Sequence, residues 1–204
     1  MTAENTSPFL QYLRIRSERD EKFEARLALA IHRQSTSSGF LGSLEGGVMG
    51  EADTWIALIV WAEVKDAERS SRELFESDYH AGFAERIAKV EANRLFTTGP
   101  GIIESLRGSR YARFARIEHF DPPADFSWPA FLVRRRTKLE DIEGFEELFT
   151  FKSRKKIAKA GFVSTWNDGR LLRAAAKAVE AKRRPDDLSA SAEESLRITS
   201  TNLI

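Results

Sequence analysis

Three histidines, His32, His80 and His119, carry most of the acid–base chemistry open to this 204-residue chain near neutral pH. Imidazole titrates closest to neutrality, so each is a candidate base or ligand. His80 has the richest setting. It follows Asp78 and Tyr79, and Tyr79, Arg86 and Asn93 recur at seven-residue steps, close to two helical turns. On a helix these three form a polar stripe that either steers a substrate oxygen or simply faces water. For His80 itself the structural alternative is a local cap or pair. Trp55 and Trp61 are six residues apart, so on a strand they share a face and line an aromatic pocket or fill a core. His32 sits where a charged imidazole complements a helix C-terminus, and His119 stands near a strand end. With no cysteine, thiolate nucleophiles, disulfides and iron–sulfur clusters are excluded. Dispersed histidines without a His–Glu pair at helical spacing predict no dedicated metal site.

The elements that must position these residues follow from periodicity. Phe9 to Arg16 alternates as a strand. Phe23, Leu27, Ala30 and Ile31 make one helical stripe, which Gln34 to Gly39 ends. Phe40–Val48 and the apolar Trp55–Trp61 run read as the second and third strands. Lys65–Glu76 reads as a helix, with helical character resuming over Ala81–Leu95, and Tyr111–Phe120 alternates as a strand that Pro122 and Pro123 end. Strand, helix, strand, strand, helix, strand is the ferredoxin-like order, and helices on one face leave the other in need of a partner.

An internal repeat would supply that partner. Phe23-Glu24 and Gly39-Phe40 recur as Phe145-Glu146 and Gly161-Phe162, an offset of 122 residues (145 − 23). On this alignment the chain is an α+β protein with a ferredoxin-like module over 8–122 and a degenerate second copy over 128–204. The second copy has then lost a strand, because Arg170–Arg184 is spaced as a helix. Ser195–Ile204 is left as a terminal strand or tail.

Charge separates the halves. Residues 1–100 hold 12 basic and 16 acidic side chains (12 − 16 = −4), and residues 101–204 hold 20 and 15 (20 − 15 = +5). Arg134–Arg136 and Arg154–Lys156 invite a nucleic-acid reading. Arg134–Arg136 is expected in a strand followed by acidic residues, however, so surface or interdomain pairing is preferred and no nucleic-acid partner is expected. The longest apolar run, Trp55–Trp61, falls far short of the roughly 20 residues a helical span requires. With a polar Met1–Pro8, no membrane partner and a cytoplasmic location are the expectations.

Ser38-Gly39-Phe40-Leu41-Gly42, the strand ending in Trp61, the Lys65-Asp66-Ala67 helix start and a helical His80 resemble the antibiotic biosynthesis monooxygenase superfamily of dimeric α/β barrels. The resemblance spans about residues 8–122. It implies a mostly apolar pocket between sheet and helices. It also implies cofactor-independent oxygenation of an aromatic or polyketide-like small molecule, with His80 as base and Trp55, Trp61, Tyr79, Arg86 and Asn93 around the substrate. In haem-degrading relatives the axial histidine lies 19 residues after the strand-closing tryptophan, as His80 does after Trp61. Haem is therefore the alternative to no cofactor. Those relatives also carry a helical tryptophan and a first-strand asparagine, where this chain has Ser70 and a position near Gln11–Leu13. A non-catalytic ligand-binding or scaffold protein is the third reading. The expected assembly is a monomeric pseudo-dimer or a homodimer.

Overall fold

All eight residues of Thr54–Trp61 are buried, so this strand must be covered on both faces. A computed structural model shows how the chain does this; it describes residues 7–17, 23–76, 87–99, 101–154, 159–181 and 188–203. The first six elements are β1 (Phe9–Ser17), α1 (Phe23–Gln34), β2 (Phe40–Val48), β3 (Thr54–Trp61), α2 (Val64–Glu76) and β4 (Ile87–Thr98). A short α3 (Ile102–Gly108) and a single turn of 3-10 helix, Ser109–Tyr111, lead to the rest. These are β5 (Phe114–Phe120), α4 (Trp128–Glu140), β6 (Phe145–Ser153), β7 (Ala160–Trp166), α5 (Gly169–Ala181) and β8 (Ala192–Leu203).

The eight strands close into one antiparallel barrel in the order β1-β3-β2-β8-β5-β7-β6-β4. Closure gives every strand a face toward a shared interior. Inward side chains, among them Leu10, Leu44, Ile56, Leu58, Ala115, Ile117, Val163 and Leu196, form the central core. Outward side chains of the first four strands pack with Phe23, Leu27 and Ile31 of α1 and Ala67 and Leu74 of α2. On the far side Phe120, Leu148, Phe162 and Trp166 meet Phe131 and Leu139 of α4 and Leu172, Ala175 and Val179 of α5. The face that a four-stranded sheet leaves bare is thus covered within the chain. No helix of the described residues is long and apolar enough to cross a membrane.

The predicted α+β class and the first five elements of the ferredoxin-like order stand, but two parts of the sequence reading are corrected. The sixth element of the first half is β4, not the strand at 114–120, and it occupies a stretch expected to be helical. β5 instead begins the second half, between β8 and β7, so the division expected at 122–128 does not match the sheet. The second half is also not degenerate: β5, α4, β6, β7, α5 and β8 repeat the order of β1, α1, β2, β3, α2 and β4. Both sets of four strands are arranged fourth, first, third, second. The 122-residue offset pairs the first turn of α1 with the start of β6, elements of different kinds. Equivalent positions are instead 105 residues apart, as in Phe40 and Phe145 (145 − 40) or Trp61 and Trp166 (166 − 61). Both pairs make edge-on ring contacts, at 5.7 Å for Phe40–Trp61 and 5.5 Å for Phe145–Trp166. Before each phenylalanine a glycine, Gly39 or Gly144, takes a positive φ that other residues rarely adopt.

The barrel ends differ. Ile102 and Leu106 of α3 plug one with apolar surface. At the other, Arg14 pairs with Glu51 at 2.7 Å and Glu91 at 2.6 Å, and also with Glu194. Tyr12 donates to Glu194 at 2.7 Å, and His119 Nε2 lies 3.5 Å from the same carboxylate. Burial opposes ionisation of Glu194. Its hydrogen bonds with His119 and Tyr12 and the charge of Arg14 outweigh that and hold it below the usual carboxylate range. Arg14→Ala leaves three carboxylates facing one another. It should lower unfolding stability by on the order of 3 kcal/mol in urea denaturation, against well under half that for the more exposed Arg16→Ala.

At the β2–β8 seam a Cβ on Gly46 would lie 2.2 Å from the Arg197 carbonyl oxygen, so only glycine permits this approach. Beside it Glu45 is buried, with Oε1 accepting from Asn202 at 3.3 Å and Oε2 without a partner. Burial pushes its carboxyl up to about 8, against the opposing pull of Ser200 and Asn202. The folded protein therefore holds a proton that the unfolded chain releases near pH 4.5. This contribution is fully present below that pH and is lost as pH rises toward 8. Thermal midpoints should fall across this window, and Glu45→Gln should flatten the fall; an unchanged profile in that variant contradicts the assignment.

Candidate functional site

Gln11 points outward from β1 toward α2 and is almost wholly buried, at 1% exposure. A buried primary amide must place its hydrogens and its oxygen. Its oxygen accepts from Trp61 Nε1 at 2.9 Å. Its nitrogen donates to Ser71 Oγ at 2.7 Å and to Asn93 Oδ1 at 2.9 Å. One side chain thus ties β3, α2 and β4 together. Asn93 follows because β4 pairs with β1, placing Asn93 opposite Leu13 and Leu95 opposite Gln11. Ser71 follows from α2, whose Ala67 and Leu74 are seated on the sheet.

These groups border a cleft of about 530 Å³ lined by Ala67, Glu68, Ser71, Arg72, Asn93 and Leu95. A second cleft of about 650 Å³ meets it at Asn93 and Leu95 and runs on to Ser153, Arg154 and Lys159. The second cleft lies along the β4–β6 seam, where only three residue pairs form, whereas β2 and β8 pair over seven. Ser71 Oγ accepts from Gln11 and, at 3.5 Å, from Asn93 Nδ2. Its own proton and the second Asn93 N–H have no acceptor among the described residues. Two donors therefore stand at the cleft wall, able to meet a ligand oxygen that gains negative charge.

The structure separates the residues singled out from sequence. Trp55 and Trp61 do share a face, but both belong to the core under α1 and α2. Trp61 is fully buried, and Trp55 packs 6.0 Å from Phe23. They do not line the cleft; Trp61 reaches it only through Gln11. Asn93 is at the cleft, on a strand rather than on a helical stripe. Tyr79, His80 and Arg86 lie outside the described residues. His32 is exposed in the last turn of α1. His119 faces the barrel interior, edge-on to Tyr12 at 5.5 Å and to Phe151 at 5.4 Å. Arg134–Arg136, expected on a strand, lie in α4, where Arg135 pairs with Glu118 at 2.5 Å and Arg136 with Glu140 at 2.6 Å. Gln11 and Ser71 are not among the site residues read from the sequence.

Among the described residues no imidazole or phenol borders the cleft. Ser70 is buried with its hydroxyl unpartnered and supplies no ring. Among the described residues no side chain bordering the cleft offers haem an axial donor, and His80, to which the resemblance gives that role, lies outside them. Among the described residues no cluster of three potential metal ligands occurs either.

No protein-family model matches the sequence, and no curated protein is similar to it in sequence. Solved structures do match in fold. A candidate monooxygenase from Fusobacterium nucleatum superposes with a TM-score of 0.68 at 10% identity, covering 98% of this chain and 95% of that one. An anthrone oxidase-like protein gives 0.60 at 15% identity, with 98% and 94% covered. A haem-binding protein from Thermus thermophilus gives 0.63 at 6% identity, with 96% and 92% covered. At such identities the likeness is one of fold. What they share with it is the fold class, an α+β protein whose antiparallel barrel is here closed by two halves of one chain.

If Gln11 holds this corner, Gln11→Leu leaves the Trp61 indole N–H buried without an acceptor. A loss of about 1–3 kcal/mol in chemical denaturation is expected, together with a shifted tryptophan emission. Asn93→Ala, at an exposed position, should change stability by less than about 0.5 kcal/mol.

Proposed function

We propose that the chain is a cofactor-independent monooxygenase of the antibiotic biosynthesis type, acting on a flat phenolic or anthrone-like compound held between α2 and β4. The observation that carries this is the pair of unclaimed donors, Ser71 O–H and Asn93 N–H, fixed by buried Gln11 at the wall of the cleft. The fold likeness to an anthrone oxidase-like protein supports the substrate class, and that to a candidate monooxygenase the type of reaction. A haem-binding alternative rests on fold likeness to the Thermus protein.

The chemistry asks little of the protein. A base removes a proton from the activated ring CH2, and His80, which follows α2 in sequence, is assigned that role. The resulting enolate places its negative oxygen on Ser71 and Asn93, which stabilise it more than the neutral ketone. The electron-rich anion passes one electron to dioxygen, and the radical pair combines to form a C–O bond. Protonation gives a hydroperoxide. Loss of water then breaks the O–O bond and the remaining C–H bond, so that CH2 plus O2 yields C=O plus H2O. Substrate is the reductant and dioxygen the oxidant.

Oxygen uptake with an anthrone as substrate tests the reading. Wild-type protein should consume one O2 per carbonyl formed without added cofactor. Asn93→Ala and Ser71→Ala should each lower kcat/KM by about 10–100-fold with folding intact. His80→Ala should abolish the limb of the pH profile near neutrality. No uptake above the spontaneous rate, or full activity in both donor variants, would falsify the proposal.

A further inference from the structure

Several arginines elsewhere on this molecule are matched by carboxylates. Arg14 meets three, Arg16 two, and Arg69, Arg116, Arg135 and Arg136 each meet at least one. A third cleft gathers arginines that are not so matched. It has a volume of about 600 Å³ and lies where the start of β5, the β7–α5 turn and β8 converge. Arg113, Arg170, Arg173 and Arg197 line it, with Phe114 and Ile198 as apolar wall. Arg113, Arg173 and Arg197 form no ion pair among the described residues, and Arg170 reaches only Asp168, at 3.7 Å.

The first amides of α5 do not explain the cluster. Asp168 already accepts from the Arg170 amide at 2.6 Å, and that bond, aided by the charges of Arg170 and Arg173, holds its carboxyl below the usual range. Four guanidinium groups around one carboxylate leave the cleft at +3 (4 − 1). All four side chains belong to exposed residues, so packing does not require them, and their mutual repulsion opposes folding while the cleft is empty of anion. The equivalent corner of the first half, 105 residues earlier, has Pro8, Lys65, Glu68 and Ala92 in place of the four arginines. The charge therefore belongs to this cleft and not to the architecture.

We propose that this cleft binds a small organic polyanion bearing at least two carboxylate or phosphoryl groups. Guanidinium forks match both groups bidentately, and Phe114 and Ile198 accommodate a compact carbon body. Asp168 disfavours an extended phosphate backbone, which makes a nucleic acid the poorer occupant. The site is separate from the Gln11 cleft and does not depend on the proposed oxygenase reaction.

Calorimetric titration of the full chain with pyrophosphate and with citrate tests this and separates the two chemistries. Saturable 1:1 binding of either probe is expected, weakened at least about 10-fold by the Arg173→Glu/Arg197→Glu pair. Lys65→Glu, a charge reversal at the first-half counterpart of Arg170, should leave binding within about two-fold. Circular dichroism and the thermal midpoint establish that the exposed variants fold. Absence of saturable binding to both probes at millimolar concentration overturns the proposal. So does equal weakening by Lys65→Glu, which would mark a net-charge effect. Binding of an RNA oligonucleotide that pyrophosphate fails to displace overturns it in favour of a nucleic-acid surface.

Discussion

β3 must be dry on both sides, and most of the molecule follows from that requirement. Its inward residues Ile56, Leu58 and Val60 need an interior, which only closure of the sheet provides. Its outward residues Trp55, Ala57, Ile59 and Trp61 need a helical layer, which α1 and α2 supply. Closure within one chain requires the second four strands to curl round and meet the first at two seams. β2–β8 is tight enough to need Gly46, whereas β4–β6 is short.

The same dryness forces the polar groups beside β3 to be satisfied from within. Trp61 cannot reach water with its indole N–H, so Gln11 takes it. Gln11 then has two hydrogens to place, and Ser71 and Asn93 take those. What remains free at the end of this chain of obligations is pushed outward to the cleft wall. The candidate site is the boundary at which the demands of the core run out. Glu45 marks a place where they are not fully met, with one oxygen unpartnered and its carboxyl pushed up to about 8.

Much of the first half was legible in the sequence because its signals are local. Alternation in β1, the apolar run of β3 and the periodic stripe of α1 each fix an element without reference to the rest. β4 was not legible: Ala81–Leu95 reads as helix by composition, and only the pairing with β1 makes it a strand. In α4 only Phe131 and Leu139 are buried, so Phe131-Leu-Val-Arg-Arg-Arg136 carries little helical periodicity. The 122-residue offset misleads because Phe-Glu and Gly-Phe pairs recur by coincidence, whereas the Phe to Trp interval, 21 residues in both halves (61 − 40 and 166 − 145), joins equivalent elements. The polar corner could not be read at all. Gln11 lies 60 residues from Ser71 and 82 from Asn93, and only the fold brings them together.

Everything proposed about chemistry depends on where a substrate oxygen sits. A crystal structure of the protein soaked with a hydroxyanthraquinone, the product type of the proposed reaction, reads that position directly. The account predicts the ligand between α2 and β4, with one oxygen within hydrogen-bonding distance of both Ser71 Oγ and Asn93 Nδ2. A ligand seated instead in the arginine-lined cleft, or in the barrel interior beside Tyr12 and His119, would contradict it.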